Sequence, residues 1–477
     1  MNQCVAITYK ENSSYPTAKY SYNPSVKYPE YPFGNQIAQE ENYVYDMVRS
    51  TLYKMGYDRE NYGTKNWNPL KEVIKEGDTV LLKPNWVMHF NKALDNQSDL
   101  SALVTHPSVV RAIVDYVFIA LHGSGRIYVA DAPMQECNID IMFDRSGYRT
   151  LFDFWDKNIS GIEIRDLRHY STVIDNNVIL DKKNNDYNEP VVVDLKSKSY
   201  HCMSKNENKK YKVSQYLEKN TQTYHNENHH EYAVNKLALE ADVIINIPKP
   251  KCHRLAGMTA ALKNMVGIIY DKDCLPHRKI GSPKEGGDAY KESNIFKRFM
   301  EAADEKKTES SLKEAYSKAK VYSFFEKVFY VLGSMMTHDK SRVGGWYGND
   351  TIWRTILDLN TIINYADKNG NIHDTIQRKI VTIGDMVLCG QKNGPVKPTP
   401  KKLGMIMMSE NSYDFDSVMC KIMGFDYTLI RYISEYAKEK EDSINVIFND
   451  ETTKLSAFDV TDSWKFEPHD MWKEYES

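Results

Sequence analysis

The stretch from Ala241 to Gly267 reads ADVIINIPKPKCHRLAGMTAALKNMVG and decides the predicted fold. Val243–Ile247 is a short apolar run rich in β-branched residues, which is typical of a strand buried on both faces of a sheet. Pro248 and Pro250 end this strand, because proline lacks the amide hydrogen that a central strand needs. Met258–Val266 has the composition of a helix. The pattern therefore predicts a buried strand, a stiff turn and a helix in direct succession.

The turn between the strand and the helix is rich in actual or potential cations, namely Lys249, Lys251, His253 and Arg254. Ligands of open α/β sheets bind outside the carboxyl ends of the strands, which is where this turn would lie. An isolated basic turn is more often a solvated surface feature. Polar corners recur after other predicted strands of this chain, and that recurrence favours a binding site.

Upstream segments show the same alternation of strand and helix. Thr79–Leu82 and Ile127–Ala130 are predicted strands, and Thr105–Gly123 between them is a predicted helix capped by Thr105 or His106. This order implies a right-handed parallel crossover. We therefore predict an α/β fold with a mostly parallel, Rossmann-like sheet flanked by helices. An irregular β-containing insertion and a helical insertion interrupt it.

Composition and the positions of Gly, Pro and charged residues divide the chain into core segments, terminal extensions and insertions. An N-terminal extension (1–77) is expected to pack on a core formed by 78–150, 236–270 and 351–450. Residues 151–235 are predicted to be an insertion or small lobe, 271–350 a loop and helical insertion, and 451–477 a tail. Within the second insertion, Asp271–Lys291 is predicted to fold over a site. Ser310–Met336 is predicted to be one amphipathic helical region used in core or lid packing.

Charge and cysteine content exclude several classes of function. The net charge is −3, with 62 basic and 65 acidic residues, so no overall field favours nucleic acid or an anionic membrane. The seven cysteines are scattered without a C-x-x-C pair, which argues against a disulfide scaffold, a zinc ribbon and a resident iron–sulfur cluster. No secretory signal or membrane span is recognised. A cytoplasmic protein without membrane or nucleic-acid partners is predicted.

Five predicted strands end in polar corners, which contribute Lys83, Asn85, Asp131, Lys249, Lys251, His253, Asp385, Ser409 and Glu410. If the strands are parallel, all five corners share one edge of the sheet, with Lys263 on the following helix. Cations without local partners suit a phosphate or carboxylate. Asp131, Asp385 and His253 are also of a type that holds a divalent metal. Alternatively, the aspartates simply pair with the lysines.

Other polar residues have ordinary explanations. His225, His229 and His230 are predicted to be polar surface in a loop, with a metal site as the alternative. Arg354 and Asp358 lie four residues apart on the predicted helix Thr351–Ala366 and are expected to form an exposed ion pair. Asp414 and Asp416 are placed to cap a helix. Cys252 next to His253 is expected to be incidental, because adjacent residues rarely have the geometry of a nucleophile and its base.

Several separated motifs give the chain a resemblance to a known family. They are KPNW (Lys83–Trp86), VADAP (Val129–Pro133), INIPKPKCH with ALKNMVG, and DFDSVMCKIMGFD (Asp414–Asp426). In this order they resemble the family called domain of unknown function 362, over about Asp78 to Phe425, in its subfamily with long insertions. Some members are fused to ferredoxin modules, which implies redox or metal-linked chemistry for those proteins. This chain lacks their cysteine runs, so no resident cluster is expected.

The resemblance implies a set of functional positions that largely coincides with the predicted corners: Lys83, Asn85, Asp131, Lys249, Lys251, His253, Lys263, Asn264, Asp385, Asn393, Gly394 and Asp416. Ser409 and Glu410 are not among them. Arg354 is added as a substrate-binding candidate.

These residues lead to one principal hypothesis about function. The chain is expected to be a cytoplasmic enzyme that binds an anionic small molecule, with a phosphate or carboxylate and an optional sugar. His253 would be the acid/base, with Asp131, Asp385 and Lys263 as further catalytic residues or, for the aspartates and His253, metal ligands. The other positions would bind substrate. The alternatives are an iron–sulfur- or metal-linked redox partner and a non-catalytic binding protein. A homo-oligomer is compatible with any of them.

Overall fold

The computed structural model describes residues 3–175, 178–203 and 210–473. The strands are β1 (Cys4–Tyr9), β2 (Thr79–Pro84), β3 (Arg126–Asp131), β4 (Ile162–Asp166), β5 (Tyr170–Asp175), β6 (Val178–Asn184), β7 (Pro190–Asp194), β8 (Tyr211–Lys212), β9 (Glu231–Asn235), β10 (Val243–Ile247), β11 (Lys251–His253), β12 (Gly257–Thr259), β13 (Arg278–Lys279), β14 (Lys379–Gln391), β15 (Thr399–Ser409), β16 (Asn445–Phe448) and β17 (Glu451–Lys454). The α-helices are α1 (Tyr43–Lys54), α2 (Pro107–Leu121), α3 (Ile139–Ser146), α4 (Tyr148–Asn158), α5 (Glu218–Tyr224), α6 (Lys236–Glu240), α7 (Ala261–Asn264), α8 (Ile295–Leu312), α9 (Tyr316–Thr337), α10 (Ile352–Tyr365), α11 (Ser412–Met423) and α12 (Ser434–Lys440).

One large sheet forms the core, with strand order β17-β16-β1-β15-β14-β10-β2-β3-β4. The strands from β14 through β10, β2 and β3 to β4 are parallel to one another. β15 runs antiparallel between β14 and β1. β11 joins the far end of β14 through the pairing of Lys251 with Gly390. The predicted α/β fold with a mostly parallel sheet is confirmed.

Both faces of the sheet are covered, which explains why its central strands are mostly apolar. Val80 and Leu82 of β2 point to the face covered by α1, α2 and α4, whereas Leu81 points to the face covered by α10. Every residue of β10 is buried. The predicted strand Val243–Ile247 is therefore confirmed, and it lies inside the sheet between β14 and β2.

The predicted crossover between the first two parallel strands is also confirmed. Helix α2 begins at Pro107, and the His106 side chain caps it by accepting a hydrogen bond from the Ser108 amide. Its apolar residues pack on β2 and β3, as the spacing of Val110, Ile113 and Val117 predicts.

Two local predictions are wrong. β15 is antiparallel to its neighbours, so Ser409 and Glu410 lie at the opposite edge of the sheet from the ends of β2, β3 and β10. The segment predicted as a helix over Met258–Val266 begins as a short hairpin of β11 and β12, with Gly257 in the left-handed region at φ +78°. Only four residues of α7 follow, continued by a 3₁₀ turn over Met265–Ile268.

The insertions build the surface above the carboxyl edge. Residues between β4 and β10 form two separate antiparallel pairs, β5 with β6 and β7 with β9. The predicted single helical region over Ser310–Met336 is instead a hairpin of α8 and α9 that turns at Glu314, where φ is +57°. Within the described ranges, no helix combines the length and apolar character needed to cross a bilayer.

Candidate functional site

Strands β2 and β3 end side by side and hold a buried ion pair. Lys83 Nζ lies 2.7 Å from Asp131 Oδ1, and both side chains are almost fully buried. The Trp86 amide donates to the second oxygen of Asp131 at 2.6 Å. Gly267 packs so closely on the pair that a Cβ there would lie 1.8 Å from Asp131 Oδ1. The Asp131 carboxylate is thus held by Lys83, by the Trp86 amide and by the close packing of Gly267.

A second buried ion pair lies between the KPK turn and β14. Lys249 Nζ lies 2.6 Å from Asp385 Oδ2, with both side chains fully buried. The Tyr15 hydroxyl donates to Asp385 Oδ1 at 2.7 Å, and the His106 amide donates to Oδ2 at 2.8 Å. Tyr15 belongs to the N-terminal extension, which therefore completes the core. Lys249 and Asp385 are structural partners here and do not line the main cavity described next.

The main cavity lies at the carboxyl edge of the parallel strands and has a volume of about 470 Å³. Six of the predicted site residues line it: Asn85, Asp131, Lys251, His253, Lys263 and Asn264. Both insertions contribute the opposite wall, through Val213–Tyr216 and through residues of α8 and α9. The loop Asp271–Lys291 closes one side with Lys272, Leu275, His277 and Arg278. The loop therefore covers this cavity, and the functional role of the cavity stays a prediction.

Two cations that line the main cavity, Arg278 and Lys307, pair with carboxylates of α8 and α9. Four others differ from Lys83 and Lys249 in having no carboxylate partner. These cavity cations are Lys251, Arg254, Lys263 and Lys272, and in the described part of the chain none has a carboxylate oxygen within 4.0 Å. Lys251 instead donates to Asn85 Oδ1 at 2.6 Å and to the Leu103 carbonyl. Lys272 donates to the carbonyls of Ala132 and Pro133.

Burial and repulsion from neighbouring cations act on all four cavity cations. Burial, with repulsion from Lys272 and Arg254, lowers the pKa of Lys263 to about 8. Burial, then the charge of Arg168, lowers the pKa of Lys272 to about 8. Burial, then the charge of Lys249, holds the pKa of Lys251 well below its usual value. These four side chains therefore bring positive charge to the cavity that no ion pair of the described residues neutralises, and the carboxyl of Glu136 lies in the same lining.

His253 is held in one tautomer. Its Nδ1 accepts hydrogen bonds from the amides of Leu255 at 3.1 Å and Ala256 at 3.2 Å, so the ring hydrogen is on Nε2. Burial, followed by the charge of Lys263, holds the pKa of His253 well below its usual value. The ring is therefore a hydrogen-bond donor through Nε2, and the acid/base role of His253 stays a prediction.

Three lining residues were missed by the sequence reasoning, namely Glu136, Lys272 and His277. His277 Nδ1 donates to the Leu275 carbonyl at 2.7 Å, which leaves Nε2 as an acceptor. Burial lowers the pKa of His277 to about 3, so the ring is neutral. Burial raises the pKa of the Glu136 carboxyl. For Lys272 and His277 the available signal was the loop itself, because its polar residues could have been assigned to the cavity it covers. Glu136 lies three residues after the corner Asp131-Ala132-Pro133 and could have been assigned with it.

Several predicted substrate-binding residues lie elsewhere. Asp416 accepts from the amides of Ala261 at 2.6 Å and Leu262 at 3.1 Å, so it caps the short helix α7. Asn393 is bonded to Asp470. Gly394 packs on the Cys252 backbone, where a Cβ would lie 2.0 Å from the carbonyl oxygen. These three residues support the wall from outside.

Arg354 also lies outside the main cavity, and its predicted partner is wrong. It pairs with Asp350 at 3.1 Å and donates to the Tyr200 carbonyl at 2.7 Å. Asp358 is fully buried and accepts hydrogen bonds from the hydroxyls of Ser199 and Tyr232. Burial raises the pKa of Asp358 to about 7. The expected exposed ion pair does not form, because Arg354 pairs with Asp350 and Asp358 is buried against hydroxyl donors.

The predicted metal ligands are not brought together. Asp131 and Asp385 are each held by a different lysine, and the described residues contain no group of three His, Cys, Asp or Glu side chains arranged to hold a metal ion. The histidines expected on the surface are also placed differently. His225 and His230 are buried, with their Nδ1 atoms 3.2 Å apart, and only His229 is half-exposed.

A smaller cavity of about 240 Å³ adjoins the main one and shares Gln135, Gln215 and Tyr216 with its wall. Its lining contains polar atoms that are buried and make no hydrogen bond within the described ranges, namely Gln135 Oε1, Thr172 Oγ1, His169 Nδ1 and Asp273 Oδ1. Burial, then the charge of Asp271, raises the pKa of Asp273 to about 7. Buried polar groups are normally hydrogen-bonded, so this side cavity has bonding capacity to offer a ligand.

Comparison with known proteins identifies the family of this chain. No curated protein and no solved structure matches it. The family described as domain of unknown function (DUF362) matches residues 80–179 and 203–421, which together make up more than half of the 477 residues. The interval between the two matched segments lies within the predicted 151–235 insertion. The resemblance seen in the motifs is thereby confirmed, and the chain belongs to the DUF362 family.

Proposed function

We propose that the protein is an enzyme that acts on an anionic small molecule bound in the main cavity. The observation that carries the proposal is the set of cavity cations, Lys251, Arg254, Lys263 and Lys272, without a carboxylate within 4.0 Å in the described residues. Lys251 is fully buried, and Arg254, Lys263 and Lys272 are half-buried. Removing a charge from water without a partner is costly, and a phosphate or carboxylate from a ligand would compensate it. Arg254 offers a planar pair of donors and the lysines offer point charges.

The polar groups of the main cavity have complementary roles in this proposal. Lys263, with its pKa lowered to about 8, exchanges a proton near neutral pH and is the leading acid/base candidate. His253 donates its Nε2 hydrogen to an oxygen on which negative charge develops. Glu136, a carboxyl whose pKa burial raises, is the second proton-transfer candidate.

The side cavity supports a substrate that is larger than an anion alone. Its unpartnered atoms are mainly uncharged acceptors and hydroxyls, with Asp273 as an acid near its midpoint at neutral pH. Hydroxyl groups of a sugar provide both donors and acceptors for such a lining. We therefore favour a phosphorylated or carboxylated sugar-linked metabolite, with the anion at the cavity cations and the hydroxylated part at Gln135, Thr172 and Asp273.

Thermal unfolding with inorganic phosphate and sugar phosphates tests this function. Phosphate at a hundred times its dissociation constant should stabilise the wild type by about 2.7 kcal/mol. Lys263→Met and Lys251→Met should abolish that shift. Lys284→Met is the matched control, because Lys284 is an exposed lysine of the covering loop and does not line the cavity. A shift that survives both cavity substitutions would contradict the proposed site.

Turnover distinguishes an enzyme from a non-catalytic binding protein. A sugar phosphate that stabilises the wild type should be converted on incubation, and its ³¹P and ¹³C spectra should change with time. Stabilisation without conversion of any binding ligand would favour the binding-protein alternative. The redox-partner alternative remains a separate prediction, and iron analysis of protein purified without air tests it.

A further inference from the structure

The outward side of helix α9 carries an unusual amount of exposed apolar surface. We call this the hairpin face, and it consists of Val321, Phe324, Phe325, Val331, Leu332, Met335 and Met336, all of which are exposed. Phe324 is 62% exposed and Met335 is 69% exposed. Scattered exposed apolar residues are ordinary, but a contiguous patch of this kind marks an interaction site.

The hairpin face is continuous because of its helical spacing. At about 100° per residue, its members fall within one arc of roughly 140° along α9. Lys320 and Lys327 lie along one edge of this arc, and Lys318 lies at its N-terminal end. The acidic residue of α9, Glu326, lies on the opposite side and is paired with Lys307 at 2.7 Å. The face and its border are therefore apolar and cationic.

The inner side of the hairpin already has a structural role. Met300, Lys307 and Glu326 line the main cavity, and Phe329 packs against Phe299 of α8. The packing that the sequence predicts for this region is thus provided by the inner side alone. The outer side needs a separate explanation.

We propose that the hairpin face docks on an anionic membrane surface, with α9 lying in the plane of the interface. An apolar face bordered by lysines, on a helix that does not span the bilayer, is the pattern of interfacial helices. Each lysine near an anionic leaflet adds to the attraction, so the charge complementarity favours lipid. A second copy of the chain is disfavoured, because a two-fold contact pairs this face with itself and offers its lysines no acidic partner.

Sedimentation with vesicles tests this proposal on the full chain. The protein should sediment with vesicles of equal parts phosphatidylglycerol and phosphatidylcholine and should remain in solution with phosphatidylcholine alone. The pair Phe324→Glu with Met335→Glu should lower the bound fraction at least about tenfold. The pair Lys320→Glu with Lys327→Glu should do the same through charge alone. Val173→Glu is the control, since Val173 is 58% exposed and lies outside the hairpin.

For the same variants, light scattering measures the oligomeric state and thermal unfolding measures stability. All variants should keep the thermal stability of the wild type, because the replaced side chains are exposed. A failure to sediment with anionic vesicles overturns the proposal, as does sedimentation that the face substitutions leave unchanged. A stable dimer that dissociates on Phe324→Glu with Met335→Glu also overturns it and assigns the face to a second copy. The outcome is independent of ligand binding in the main cavity.

Discussion

Two groups of lysines lie near the carboxyl edge of the same sheet, and they differ in what surrounds them. Lys83 and Lys249 are each fixed by an aspartate at 2.7 and 2.6 Å. Lys251 and Lys263 line the main cavity, where the described residues place no carboxylate within 4.0 Å. The first group neutralises the sheet interior, and the second leaves charge available to a ligand. Residue type and position at a strand end therefore do not distinguish a structural lysine from a binding one.

The largest expected effect comes from breaking a structural pair. Lys83→Met should lower the free energy of unfolding by about 3–5 kcal/mol, because Asp131 would be left buried without its cation. Lys263→Met should cause no such loss, since no carboxylate depends on Lys263. Urea unfolding of both variants measures the difference. Equal losses in the two variants would contradict the division into structural and cavity lysines.

Crowding the same pair should have the next largest effect. In Gly267→Ala the new methyl group would overlap Asp131 Oδ1, from which a Cβ lies only 1.8 Å away. Such overpacking should lower the free energy of unfolding by about 1–3 kcal/mol. Urea unfolding measures this loss. A variant as stable as the wild type would show that the ion pair tolerates displacement.

The pH dependence of stability should identify Lys263 as an uncompensated cation. Its pKa is lowered from 10.5 to about 8 in the folded protein, so between those values the unfolded chain binds more protons. The free energy of unfolding of the wild type, relative to Lys263→Met, should rise by about 2–3 kcal/mol from pH 8 to 10.5. Below about pH 7, where the group is protonated in both states, the difference should be constant. A relative fall with rising pH would mean that Lys263 has an acidic partner.

The smallest effect is expected at His253. His253→Asn keeps an acceptor near the Nδ1 position but does not reach the position of Nε2, so it removes that donor. It should weaken sulfate binding by roughly tenfold or less, as expected for one neutral hydrogen bond. Because burial keeps the wild-type ring neutral, its contribution should not change between about pH 5.5 and 7.5. Calorimetric titration with sulfate, whose charge is constant in this range, provides the measurement. A contribution that grows as pH falls would indicate a protonated ring.

Much of the fold could be predicted because burial leaves a periodic trace in the sequence. The mostly apolar β10 and the spaced apolar residues of α2 were both located correctly. The direction of β15 was not, since an antiparallel strand buried on both faces has the same apolar run as a parallel one. The break at Glu314 was also missed, because apolar spacing continues across it.

The candidate site was predicted in part for a similar reason. Strand ends marked by proline or glycine gave Asn85, Asp131, Lys251 and His253, which do line one cavity. His277 was missed because it lies in a loop without periodicity. Asp416 was given a ligand role, but its carboxylate caps a helix that lies far away in sequence.

The sequence by itself determined which segments are buried strands, which turns follow them and that these turns are cationic. Only the tertiary structure decided which cation meets a carboxylate, which tautomer His253 adopts and which loop closes the main cavity. The physical reason is the separation in sequence of the residues that interact. Apolar periodicity is a property of neighbouring residues, whereas an ion pair or a hydrogen bond requires two atoms from distant segments to come within about 3 Å.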